Sequence, residues 1–96
     1  MPEKIIENFS VKYTQVMDEN GNVDKKLMPK LSKTQIKDMY KAMVLAKVFD
    51  DKILIMQRQG KIGTLASHRG QEGAQIGSIT ALSKDDWVFP SFRENA

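Results

Sequence analysis

Cysteine is absent from the 96-residue chain, which excludes disulfides, thiolate metal sites and cysteine nucleophiles together. Long apolar runs are missing as well. Met1-Pro2-Glu3-Lys4 leads into only two isoleucines before Glu7, and no stretch approaches the ~20 apolar residues that span a bilayer. Charge of one sign is in short supply too. Fifteen lysines and arginines stand against twelve acids, scattered along the chain with no dense basic block and no aromatic ladder between them, which excludes the footprint of a nucleic-acid groove. Histidine occurs once, at His68, without a second histidine or a carboxylate at metal-ligand spacing. These absences read as a cytoplasmic, soluble protein with neither nucleic acid nor membrane as partner. At this length one small domain is the ceiling, and an apolar fraction of 41% with 28% charged residues fits a chain that collapses.

The residues present divide at about position 31. Phe9, Val11 and Tyr13 alternate with Ser10 and Lys12, the period of a short strand. Asn20-Gly21 then offers a tight hairpin turn, although Val23 resumes the alternation only weakly. A polar stretch closed by Pro29 completes what reads as an extended arm and linker over 1–31. Ser32-Lys33-Thr34-Gln35 is a capping box, with Leu31 and Ile36 placed for the accompanying hydrophobic staple. Apolar residues recur at Ile36, Met39, Tyr40, Met43, Ala46, Phe49, Ile53 and Met56, which predicts a helix to Gln59, roughly 40 Å long, stopped by Gly60. A loop follows to Arg69. A second helix is predicted from Gln71 to about Ser83, carrying Gly73, Gly77 and Ala81 on one face. Each glycine costs such a helix about 1 kcal/mol relative to alanine, so close approach of another backbone to this face is expected. Trp87-Val88-Phe89 reads as a short buried strand ended by Pro90.

Three places carry chemistry. His68 is read foremost as a structural, hydrogen-bonded histidine, and Arg69 as either a loop anchor or an anion-binding group. Gly70-Gln71-Glu72-Gly73 stands where a loop enters a helix, a position able to receive an anion, although a helix start with close-packing glycines is the plainer and preferred reading. Ser91-Phe92-Arg93 offers a hydroxyl, an aromatic face and a guanidinium after the predicted strand. Arginine binds phosphate bidentately, whereas the plainer reading is an exposed surface arginine.

The capped helix ending in "MQRQGKIG", the loop into "GQEGAQIG", and "DDWVFPSFRE", in that order, resemble the first part of the α subunit of thiamine-diphosphate-dependent 2-oxo acid dehydrogenases. "MDENGNVDKKLMPKLS" resembles the entry arm of the pyruvate dehydrogenase E1 α branch. The resemblance covers the chain from about Tyr13. It implies an α/β fold in which a parallel sheet binds thiamine diphosphate, with 32–96 as the start of that domain and the part present mostly helical. It implies a heterotetramer of two α and two β subunits, with the cofactor between them. The reaction implied is decarboxylation of a small 2-oxo acid, with transfer of the acyl group to a lipoyl-bearing E2.

In that family the loop matching Ser91-Phe92-Arg93 has tyrosine before arginine, and both touch the diphosphate. Arg93 therefore keeps a diphosphate contact by match, Phe92 keeps a ring without the hydroxyl, and Ser91 is a lesser contact. Thr64 and Leu65 replace two bulky residues bordering the substrate pocket. His68 does not match the family's catalytic histidine, which lies further along the subunit, as does the "GDG…N" segment holding Mg2+. The activating glutamate belongs to the β subunit. The chain is thus expected to be the front portion of a longer subunit, inactive by itself. A branched-chain 2-oxo acid or acetoin dehydrogenase is the close alternative. A reading of another class is a non-catalytic helical interaction module, docking through its small-residue face and indifferent to thiamine diphosphate.

Overall fold

The computed structural model describes residues 2–96, and the chain divides between Lys30 and Leu31 into two units. In the first unit the expected strand over Phe9–Tyr13 does not form. Phe9, Val11 and Tyr13 all lie in solvent. An isolated alternating segment has nothing to satisfy its N–H and C=O groups, so its period alone does not make a strand. Pairing appears instead around the turn, where Met17 and Val23 form a single antiparallel bridge and the Asp24 N–H donates to the Val16 carbonyl at 2.8 Å. The Asp18 carboxylate organises this hairpin by accepting from the N–H groups of Asn20 (2.9 Å) and Asn22 (2.7 Å) and from the Asn22 amide (2.8 Å). Those bonds, the Asn22 side chain foremost, hold the Asp18 carboxyl below its ordinary pKa. Within this turn Gly21 alone takes positive φ, at 82°, so the connection is a tight turn closed by a left-handed glycine.

The second unit holds two helices, α1 (Lys33–Arg58) and α2 (Glu72–Thr80), and no strand among the described residues. α1 starts as its capping box requires. The Gln35 N–H donates to Ser32 Oγ at 3.2 Å, and the Ser32 N–H donates to Gln35 Oε1 at 2.8 Å. It stops one residue earlier than the sequence predicts, with Gln59 as C-cap. Gly60 then turns left-handed at φ 70°, its N–H donating to Gln57 O and that of Lys61 to Met56 O, both at 3.0 Å. This double closure satisfies two of the helix's last free carbonyls. No atom lies within 4 Å of where a Gly60 side chain would begin, so Gly60→Ala isolates the backbone cost alone. We expect a loss of about 1–2 kcal/mol, read by urea denaturation of the subunit that carries this sequence.

α2 is shorter than predicted, beginning after an N-cap at Gln71 and ending at Thr80. Past its end the Ala81 and Leu82 N–H groups donate to the carbonyls three residues back, and the Asp86 carboxylate accepts from the Ser83 N–H (2.7 Å) and hydroxyl (3.0 Å). That N–H is thereby withdrawn from the helical ladder. The Asp86 carboxyl is held below its ordinary pKa by the same bonds, the Ser83 N–H first. Trp87-Val88-Phe89 corrects the other strand expectation. Trp87 and Phe89 are exposed, their rings stacked on each other at 6.5 Å, because no neighbouring strand among the described residues offers this segment a ladder.

α1 and α2 pack on each other around a small centre in which Ala46, Asp50, His68 and Ile76 are the buried residues. Half of that centre is polar. The glycine face of α2 meets nothing: the space over Gly73 and Gly77 is open to 4 Å. The close approach predicted for that face is therefore not made among the described residues.

Candidate functional site

The loop between the helices is fastened to α1 at successive residues. Leu65 N–H donates to Gln57 Oε1 at 3.2 Å. Asp50 takes the next two donors, the Ser67 hydroxyl on one carboxylate oxygen at 2.6 Å and the His68 N–H on the other at 3.0 Å. Arg69 then reaches the neighbouring Asp51 at 2.6 Å. Asp50 and Asp51 thus grip three consecutive loop residues from adjacent positions of one helix.

His68 is wholly buried, and its Nε2 lies 2.9 Å from the Ala46 carbonyl, which can only accept. The ring therefore carries a hydrogen on Nε2, leaving Nδ1 3.5 Å from Asp50. This is the structural role expected of the lone histidine. Burial pushes the Asp50 carboxyl up, but the Ser67 hydroxyl first, then the His68 N–H, outweigh that push and hold it below the ordinary carboxylate value. Arg69 serves as the loop anchor, paired with Asp51 on the surface.

The segment carrying Ser91-Phe92-Arg93 is fastened to α2. The Gln75 amide donates to the Arg93 carbonyl at 3.0 Å and accepts from the Ala96 N–H at 3.0 Å. Asn95 then bridges the two loops, its amide donating to the Ala66 carbonyl at 3.2 Å. Through this bond the structure joins the loop of Thr64 and Leu65 to the segment of Ser91 and Arg93, the two groups of candidate residues. Thr64 is exposed and Leu65 half-buried. The groove between α2 and this segment encloses about 520 Å³ and is walled by Gln75, Ile79, Leu82, Phe89, Pro90 and Glu94. Ser91, Phe92 and Arg93 themselves lie outside its lining.

The donor set suits a diphosphate in part. Arg93 is exposed and joins no ion pair among the described residues, so its guanidinium is free to take two phosphate oxygens. Phe92 presents its ring to solvent beside it. Ser91 is less free, because its hydroxyl and N–H both go to the Glu94 carboxylate. Those two bonds, the hydroxyl first, hold the Glu94 carboxyl below its ordinary pKa. Among the described residues no three side chains of metal-ligating type come together.

Asp50, Gln75 and Asn95 escape the sequence reading. Asp50 had a signal, since it falls four residues after Ala46 and three before Ile53, inside the apolar stripe of α1. Gln75 and Asn95 had none, because the partners that tie their segments together are main-chain atoms far along the chain.

Comparison with known proteins extends beyond the geometry. The sequence model of the family described as "Dehydrogenase E1 component" matches residues 40–96. A pyruvate dehydrogenase E1 component subunit alpha from Staphylococcus aureus is 34% identical over 94 residues, covering 95% of this chain and 25% of the relative. The subunits of that name from Acholeplasma laidlawii and Bacillus subtilis are 46% identical over 78 residues and 37% over 81. Those alignments cover 80% and 83% of this chain, and 23% and 22% of the relatives. The chain thus spans about a quarter of the length of the curated relatives it matches. No solved structure matches it. The family match takes in most of α1, the fastened loop, all of α2 and the Arg93 segment, and the chain belongs to the dehydrogenase E1 component family.

Proposed function

We propose that this chain is part of the α subunit of a cytoplasmic, pyruvate-type 2-oxo acid dehydrogenase, working with an E1 β subunit and a lipoyl-bearing E2. The observation that carries the reading is its likeness to three bacterial subunits of that name over most of its length. Residues 1–31 serve as an entry arm. Residues 32–96 begin a thiamine-diphosphate-binding domain whose parallel sheet other segments of the subunit supply. Bound at the site, thiamine diphosphate supplies the carbanion chemistry that decarboxylates a 2-oxo acid and hands the acyl group to the lipoyl arm.

This chain's own residues bind and orient. Arg93 neutralises diphosphate charge through its free guanidinium. Phe92 packs its ring beside the cofactor, and Ser91 lends a further contact once Glu94 yields its donors. Thr64 and Leu65 border the acyl pocket, on a loop whose position Asp50 and Gln57 fix. Magnesium is held by residues outside this sequence.

The test is thiamine-diphosphate-dependent acyl transfer to lipoamide by the assembled α and β subunits, offered pyruvate, a branched-chain 2-oxo acid and acetoin in turn. Pyruvate should give the highest kcat/KM. Preference for either competitor would replace the pyruvate reading, and no dependence on the cofactor would favour the interaction module. In the same assembly Phe92→Tyr restores a hydroxyl beside Arg93, and we expect thiamine diphosphate to bind roughly two- to tenfold more tightly by calorimetry. Unchanged affinity would show that the ring alone matters.

A further inference from the structure

Arg93 lies on a segment whose main chain is tied to α2 by a side chain of that helix, Gln75. Gln75 projects from the middle of α2 and is half-buried. Its amide nitrogen has two hydrogens and two acceptors, Gln71 Oε1 at 2.9 Å and the Arg93 carbonyl at 3.0 Å. Its amide oxygen accepts from the Ala96 N–H at 3.0 Å. Reversing the amide would set oxygen against two acceptors and nitrogen against a donor, so the partners fix its orientation. The side chain therefore reads the backbone of the arginine's segment at two points, as a neighbouring strand would.

We propose that Gln75 is a positioning residue for Arg93, holding the diphosphate-binding segment in its binding conformation before the ligand arrives. The inference rests on the reading of Arg93 given above. Gln75 touches no cofactor itself. It acts on affinity by keeping the competent arrangement populated, because an apparent dissociation constant rises as that fraction falls. Gln71 completes the device by fixing the amide from one helical turn earlier, a spacing that puts both glutamines on one face of α2.

The experiment is calorimetric titration of thiamine diphosphate with magnesium into the assembled α and β subunits, alongside thermal melting without cofactor. Gln75→Glu keeps the size and the acceptor for Ala96 but turns an acceptor toward the Arg93 carbonyl. We expect roughly tenfold weaker binding with an unchanged melting temperature. Gln75→Met removes all three bonds at similar volume, gives the same result, and carries the test if the glutamate variant does not assemble. Arg93→Lys keeps charge but loses the planar fork, and in that background Gln75→Glu should cost little more. Such coupling is what action through Arg93 produces and a general structural role does not.

Wild-type affinity in both Gln75 variants, or losses that simply add in the double variant, would overturn the proposal while leaving Arg93 in its role. Wild-type affinity in Arg93→Ala would instead overturn the underlying reading, and the positioning role with it.

Discussion

Replacing Arg93 by alanine is expected to weaken thiamine diphosphate binding roughly ten- to hundredfold in the assembled enzyme. The estimate follows from the ~1.5–3 kcal/mol that a hydrogen bond to a charged group contributes, each 1.4 kcal/mol being a factor of ten. The guanidinium joins no ion pair among the described residues and stands in solvent. Little internal structure is therefore lost with it, and the melting temperature without cofactor should not move. Arg93→Lys should fall between the two, because a point charge replaces a planar fork matched to phosphate. Calorimetry separates these outcomes without relying on turnover. Equal affinity in all three proteins would remove Arg93 from the cofactor site.

The second large effect belongs to stability. Asp50→Ala leaves the Ser67 hydroxyl and the His68 N–H without their acceptor at the most buried point of the α1–α2 contact. A loss of about 2–5 kcal/mol is expected, since each buried donor left without a partner costs roughly 1–3 kcal/mol. Hydrogen exchange locates the loss. Protection should fall at His68, Arg69 and Gln71, whose N–H groups belong to the fastened loop, and persist in the first turns of α1.

Acid tests the same carboxylate. Its pKa is lowered in the folded chain, so the stabilisation it gives is fully present above the ordinary carboxylate pKa of about 3.9 and is lost as pH falls through the lower folded value. Asp50→Asn should reduce stability near neutrality and flatten the acid limb of the stability profile. An acid limb as steep as the wild type's would assign acid sensitivity to other groups.

What the sequence made legible was local. Ser32 and Gln35 are three residues apart and cap each other wherever the rest of the chain goes. Gly60 is likewise legible, since a left-handed residue after a periodic helix needs no distant partner. The strands failed for the converse reason. Phe9–Tyr13 and Trp87–Phe89 have the side chains of strands, but a strand is made by its neighbour, and among the described residues none lies beside them. Family resemblance supplied Arg93, which spacing alone left balanced against an ordinary surface arginine.

The supports of the site were hidden because their partners are distant or are main chain. Asp50-Asp51 reads as a pair of surface acids until the loop folds back and buries the first of them. Gln75 reads as one more polar residue of a helix, and only the folded chain shows its amide closed between Gln71, Arg93 and Ala96. The Asn95 amide on the Ala66 carbonyl joins the loop of Thr64 and Leu65 to the segment of Ser91 and Arg93, and side chains from α1 and α2 hold the two in place.

The most direct measurement is a crystal structure of the assembled α and β subunits with thiamine diphosphate and magnesium. The account predicts the Arg93 guanidinium within about 2.7–3.2 Å of diphosphate oxygens, with the Gln75 amide still on the Arg93 carbonyl. A diphosphate held wholly by other residues, with Arg93 turned away or paired to a carboxylate, would contradict it.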